Sequence, residues 1–188
     1  MRRFAILILF LLLVRTSLAA GPTTVPVDSA KTYTHAASHV DFPAQIATFD
    51  RVNVFRYDDD SDDISVGYND TIVGIIATVY VYPDPNIGLD AHFEQIKDQI
   101  QQVHPAYKLL KQEKWTLRQK AHEFAGHKAV YTYTDAFMGK KQPIISQAYL
   151  IKVNGNFIAY RVSFPRDQEK GTEELIQKFI DKLTIPQS

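Results

Sequence analysis

An α+β fold, a mostly antiparallel sheet flanked by two main amphipathic helices, is what the residue pattern of this 188-residue chain predicts. Three observations carry the prediction. Short runs rich in Val, Ile, Tyr and Phe recur with turn residues between them, as strands and hairpins require. Two stretches, around 89–103 and 175–183, switch to helical periodicity. The order is meander, helix, meander, helix, so strands pair with their neighbours and helices pack on the sheet.

The elements follow in chain order. Residues 20–41 are rich in Pro, Thr, Ser and Ala and show neither period, which predicts a flexible lead segment, with one α+β domain over 42–188. Val52–Tyr57 reads as a strand. Asp58-Asp59-Asp60-Ser61-Asp62-Asp63 interrupts it with charge that belongs at a solvated hairpin tip, and Ile64–Tyr68 returns. Asn69-Asp70 is expected to turn the chain into a long β-branched strand over Ile72–Tyr82, which Pro83 and Pro85 stop. Leu89, Phe93, Ile96, Ile100 and Val103 then fall on one helical stripe, with Glu94, Gln95, Lys97, Asp98 and Gln101 opposite, up to Pro105. Strands are predicted at Tyr107–Leu117, Lys128–Phe137, Ile144–Val153 and Phe157–Phe164. Asn154-Gly155, between the last two, is the strongest hairpin signal, because both residues tolerate the positive φ of a tight turn. Leu175, Ile176, Phe179, Ile180 and Leu183 make the second helical stripe before Pro186.

The start of the chain predicts where it goes. Arg2 and Arg3 precede an unbroken apolar run, Phe4–Val14, and Ser17-Leu18-Ala19 supplies small residues for cleavage. This is the pattern of a secretory signal peptide over 1–19, and the run is too short to span about 30 Å of hydrocarbon. The expected destination is the periplasm, with a secreted product as the alternative. Cleavage after Ala19 takes Arg2, Arg3 and Arg15 from the 21 basic residues, leaving 18 against 21 acidic ones and a net charge of −3 with His neutral. That balance does not make a nucleic-acid footprint, which needs Lys and Arg gathered on one face. No later stretch predicts a membrane span in the mature chain. The chain has no cysteine, so disulfides, thiolate metal sites and a cysteine nucleophile are excluded together.

The Ile64-Ser65-Val66-Gly67-Tyr68 and Ala77-Thr78-Val79-Tyr80-Val81-Tyr82-Pro83 segments, followed by the amphipathic helix, resemble the PsbP-like class of small exported bacterial proteins, DcrB-like proteins among them. Gly126-His127-Lys128-Ala129-Val130-Tyr131 and Tyr160-Arg161-Val162 before the terminal helix continue the likeness, which covers roughly residues 42–185. The resemblance implies an antiparallel sheet between helices and an accessory or binding role in place of catalysis. It transfers no functional residues.

Motifs that suggest chemistry fail on spacing. His122-Glu123-Phe124-Ala125-Gly126-His127 has the residue types of a zinc hydrolase, but that motif places its two histidines at i and i+4 on a helix. Here they are at i and i+5, about 140° apart on a helix and on opposite faces of a strand. A metal-assisted hydrolase using His122, Glu123 and His127 is therefore the competing reading. A ligand-free structural or envelope-support protein is the third. Counting from Asp58, an EF-hand loop would need Gly and Glu where Asp63 and Asn69 stand. His35 and His39 lie four apart in a segment without apolar periodicity. There is no G-x-S-x-G elbow, Walker A or G-x-G-x-x-G pattern. Neither catalytic residues nor a metal or other cofactor are assigned.

The tyrosines are the more informative residues. Thr78, Tyr80 and Tyr82 alternate with Ala77, Val79 and Val81, and Tyr131 and Tyr133 alternate with Val130, Thr132 and Thr134. One face of the sheet is then apolar while the other carries phenols suited to half-buried surfaces. Arg161 alternates into a strand with Phe157 and Ala159, where a charge needs a partner or solvent. If this face is open, Tyr80, Tyr82, Tyr131, Tyr133 and Arg161 form a binding surface for a protein partner or a small apolar ligand. If helices cover it, the same residues are core with hydroxyls at the rim.

Overall fold

The computed structural model describes residues 21–60 and 62–186. The signal-peptide region 1–19, Ser61 of the aspartate tip and the last two residues of the 42–188 domain lie outside the described residues. Eleven strands and two helices run in the order β1 (Thr23–Thr24), β2 (Tyr33–Thr34), β3 (Asp41–Phe42), β4 (Gln45–Ile46), β5 (Phe49–Arg56), β6 (Ile64–Asp70), β7 (Ile75–Pro83), α1 (Leu89–Val103), β8 (Lys108–Gln119), β9 (His122–Phe137), β10 (Lys140–Val153), β11 (Asn156–Pro165) and α2 (Glu169–Lys182). The α+β class predicted from the sequence is the observed one: a nine-stranded sheet in the order β1-β5-β6-β7-β11-β10-β9-β8, with β4 also on β5, and every pairing antiparallel.

Two meanders meet at its centre. β5-β6-β7 and β8-β9-β10-β11 are each joined by hairpins, and β7 pairs with β11 from Ile76↔Ser163 to Pro83↔Asn156. The chain leaves β7 in the middle and re-enters at the far edge, β8. α1 makes that crossing over one face, with its stripe of Phe93, Ile96 and Ile100 buried. α2 follows β11 and buries Ile176, Phe179 and Ile180 on the other face. The apolar residues Val54, Val66, Val79 and Tyr160, cross-strand neighbours in one row, form the floor beneath α2. Phe179 sits between Phe49 and Tyr68, with ring centroids 4.7 and 5.2 Å away.

α2 is held at both ends from the sheet. Gln119, the last residue of β8, donates Nε2 to the carbonyls of Leu183 (2.5 Å), Ile180 (3.3 Å) and Asp181 (3.4 Å) and accepts the amide of Ile185 at Oε1 (3.2 Å). It thereby satisfies carbonyls that the end of a helix leaves without partners. At the other end Glu173 accepts from Lys128 and from Gln147 (2.8 Å). Burial works to raise the Glu173 carboxyl, but these donors and the charges of Lys128 and Lys111 outweigh it and hold it below the ordinary range.

Element positions match the periodicity with local exceptions. The turn expected at Asn69-Asp70 is instead Thr71–Gly74. Asp70 stays in β6 and its carboxylate accepts the amides of Ile72 (2.9 Å) and Val73 (3.0 Å), while Gly74 takes the left-handed conformation, φ 79°. Ile72, expected to open the next strand, is 84% exposed at the tip. The Asn154-Gly155 turn has φ 50° and 77°, as its composition requires.

The lead segment also differs from expectation. Residues 21–41 do not trail free: β1 pairs with β5, β2 pairs with β3, Val40 is fully buried, and Val25, Val27 and Tyr33 pack against the core beneath α2. Composition missed this because the ties are long-range, chief among them one polar residue. Arg51 on β5 is buried and its guanidinium donates to the carbonyls of Phe42 (2.5 Å), Asp28 (2.8 Å) and Lys31 (2.8 Å). Substituting Arg51→Ala strips three carbonyls of a charged donor and should cost about 2–4 kcal/mol. Chemical denaturation checks the loss, and amide exchange should show the greatest loss of protection between residues 28 and 42.

Candidate functional site

The five residues singled out by alternation share one face, the one α1 crosses. Register sets the rows: Tyr82 beside Phe157; Tyr80 beside Ala159, Leu150 and His127; Thr78 beside Arg161, Ala148 and Ala129; Ser163 beside Ser146 and Tyr131. Ala129, Ala148 and Ala159 form a floor of small side chains on which Phe93, Ile96 and Ile100 of α1 rest. Tyr80, Tyr82 and Tyr131 are buried in this packing, and Tyr133 and Arg161 are half-buried. Burial pushes the phenols of Tyr80, Tyr82 and Tyr131 up.

Three imidazoles line the join between α1 and the sheet. His92, on α1 and 1% exposed, accepts the Tyr82 hydroxyl proton at Nε2 (2.7 Å), donates Nδ1–H to Gln95 Oε1 (3.2 Å) and stacks on Phe157 at 4.4 Å. His127 of β9 stacks on Phe93 at 5.0 Å and meets Asp90 at 2.6 Å. His104, just past α1, stacks on Tyr133 at 3.8 Å and lies 3.6 Å from Asp135. Sequence reasoning passed over His92 and His104. His92 sits beside the apolar stripe, three residues after Leu89, which was the available signal.

The zinc-like segment is strand β9. His122 and Glu123 are exposed, Glu123 bonds Arg118 (2.7 Å), and His127 lies on the opposite face from His122, against α1. The strand thus separates the histidines that a metal site would need together. Among the described residues no three His, Asp or Glu side chains gather in a group that could hold a metal ion. No helix among them is long and apolar enough to cross a membrane.

α1 covers only part of its face. The cluster it builds takes in β7, β11, β10 and β9 but no residue of β5 or β6. Asn53 and Phe55 of β5, Asn69 of β6, and Ile76 and Thr78 of β7 remain half-exposed there. Gly67 shapes this surface. A Cβ at that position would lie 2.5 Å from Asn53 Oδ1, so the missing side chain leaves room for the Asn53 amide over Gly67. Tyr57 closes one margin by bonding Ser65 (2.9 Å), and Ser146 bonds Ser163 (2.7 Å) beyond Arg161. The result is a surface of mixed amide, hydroxyl and apolar side chains beside α1, with Arg161 one strand further in, on β11.

This arrangement has known relatives in shape. No family model matches the chain, and no curated protein sequence matches it. The fold is that of PsbP: the solution structure of cyanobacterial PsbP (CyanoP) from Synechocystis sp. PCC 6803 superposes with a TM-score of 0.55 at 13% identity, covering 91% of this chain and 99% of that one. A protein of unknown function from Pseudomonas aeruginosa aligns at a TM-score of 0.48 and 10% identity, over 84% of this chain and 98% of that one. At such identities the likeness is one of fold.

The imidazole join makes α1 docking sensitive to pH. Burial lowers the His92 pKa below its ordinary 6.5, against smaller opposing effects of Gln95 and Asp84. Burial likewise lowers His104, helped by the nearby charge of Arg161 and opposed by Asp135. The unfolded chain therefore binds protons that the folded one refuses. Stability should be full above about pH 6.5 and fall as pH drops below it through the depressed folded values. Urea midpoints measured from pH 7.5 to 5 check this, and His92→Gln, which keeps an acceptor for Tyr82, should flatten the decline.

Proposed function

We propose that this is an exported accessory protein, without catalysis of its own, that docks a partner protein on the part of the sheet face left uncovered by α1. The observation that carries the reading is that face: half-exposed Asn53, Phe55 and Asn69, on the two strands outside the α1 cluster, lie beside half-exposed Ile76 and Thr78 of β7. The shared fold with PsbP supports an accessory role. The charged start, apolar centre and small-residue end of the first nineteen residues support export to the periplasm.

The surface suits an extended protein segment better than a small apolar ligand. Its apolar neighbour, the alanine floor, is filled by α1, and what remains open over β5, β6 and β7 mixes the amides and hydroxyl of Asn53, Asn69 and Thr78 with the apolar Phe55 and Ile76. The polar groups recognise a polypeptide backbone and polar side chains.

Two measurements test the two halves of this reading. Sequencing the N-terminus of protein recovered from its host's envelope fraction should begin at Ala20, and an intact Met1 in the cytoplasmic fraction overturns export. A photoreactive benzoylphenylalanine in place of Phe55 should give an adduct that maps to one segment of one other protein. The same probe at Leu110, exposed on the distant β8 edge, should not. Equal adducts from both positions, none from Phe55, or adducts only to a second copy of this chain would overturn partner docking.

A further inference from the structure

The geometry points to Arg161 as a receptor for a carboxylate carried by the partner, an inference that rests on the docking surface just described. Arg161 is on a central strand, β11, with Thr78 and Ala148 as cross-strand neighbours. Its Nε and Nη2 atoms are buried and make no hydrogen bond, and the hydroxyl of Tyr131, whose ring lies 5.8 Å from the guanidinium, is also buried without a partner. No ion pair joins Arg161 to another described residue.

Those two nitrogens are one edge of the guanidinium. Nε–H and Nη2–H point the same way and form the side-on fork that fits both oxygens of a carboxylate. Leaving such donors without acceptors inside a protein is costly, so the resting conformation carries an unmet demand. The side chain as a whole is half-exposed, and across the pairing with β7 its row continues through Thr78 to Gly67 and Asn53. A carboxylate delivered along that surface meets the guanidinium, which rotates its fork outward and makes two charge-assisted bonds in place of none.

The charge balance favours a monoanion. The site offers one guanidinium, and the imidazole that feels its charge, His104, is held toward its neutral form by burial and by Arg161 itself. A phosphate dianion would lack the second positive partner it needs. A glutamate or aspartate side chain, or a C-terminal carboxylate, is matched by a single fork.

The test follows the Arg161 Nε–H resonance of the purified chain by ¹⁵N NMR. The probes are a short, otherwise neutral peptide with one glutamate, its glutamine counterpart, sodium acetate and inorganic phosphate. The glutamate peptide should shift that resonance saturably, the glutamine peptide should leave it in place, and acetate should act at least tenfold more weakly than the glutamate peptide. Arg161→Lys keeps the charge without the fork and should weaken glutamate-peptide binding at least tenfold. Arg161→Gln should abolish it, with the remaining amide spectrum reporting that each variant is folded. A resonance that no probe moves, or full binding by Arg161→Lys, overturns the proposal. Acetate or phosphate binding as tightly as the peptide reassigns the site to a small anion and overturns the partner carboxylate. The Phe55 adduct separates this from the docking reading: an adduct that survives Arg161→Gln leaves the surface standing and sinks the carboxylate, and no adduct in either protein sinks both.

Discussion

The antiparallel pairing of β7 with β11 is the constraint from which the rest follows. Each meander alone would leave an unpaired inner strand with a row of free amides and carbonyls. Joining them along the eight register pairs from Ile76↔Ser163 to Pro83↔Asn156 makes one sheet with both strands at its centre. The chain must then travel from the middle to the far edge between β7 and β8, a distance that a hairpin cannot cover and a fifteen-residue helix can. The crossing helix takes one face, and the helix leaving β11 takes the other. Both faces of the central strands are thereby buried, while β5 and β6, off to one side, receive a helix on the α2 face only.

The two helices are attached by different physics. α2 is set into large apolar side chains and fixed at its ends by Gln119 and Glu173, with Trp115 and Tyr149 edge-to-face beneath the same half of the sheet. α1 rests on alanines, with no side-chain cap at its Gly88 N-terminus, and its polar anchors are the contacts of His92, His127 and His104. Small floor residues permit close approach but bury less apolar area per contact than Phe or Leu would. The buried imidazoles of His92 and His104 add direction at the cost of sensitivity to protons. The face bearing α1 is therefore the more responsive side, and it also carries the bare strands and Arg161.

Most of this architecture was legible in the sequence because each element carries its own period. The Leu89–Val103 stripe, the Asn154-Gly155 turn and the alternation in β7, β9 and β11 read directly onto the structure. Alternation also put Tyr80, Tyr82, Tyr131, Tyr133 and Arg161 on one face, which register requires, but it could not say what lies above them. Covering is a long-range property: the helix that buries Tyr80, Tyr82 and Tyr131 is set by where β8 joins the sheet. The lead segment was illegible for a related reason. Its order comes from Arg51, which accepts no period and is distant in sequence from Asp28, and from Val25, Val27 and Val40 inserted singly into a core built by others.

The same limit explains why Arg161 and not the tyrosines remains as the candidate point of recognition. A phenol under a helix finds compensation: the Tyr82 hydroxyl donates a hydrogen bond to His92, and ring faces pack against Phe157. A guanidinium has five donors in a rigid plane and cannot be silenced by packing or by losing its proton. Placed on a central strand beside small and hydroxylated neighbours, Arg161 has aromatic contact but no acceptor for its Nε–Nη2 edge. For folding alone, an apolar residue here would serve as well or better, since a buried charge without a partner opposes stability. Its presence one strand in from the open β5–β6 part of the sheet face is more economically explained by what it meets than by what it holds up.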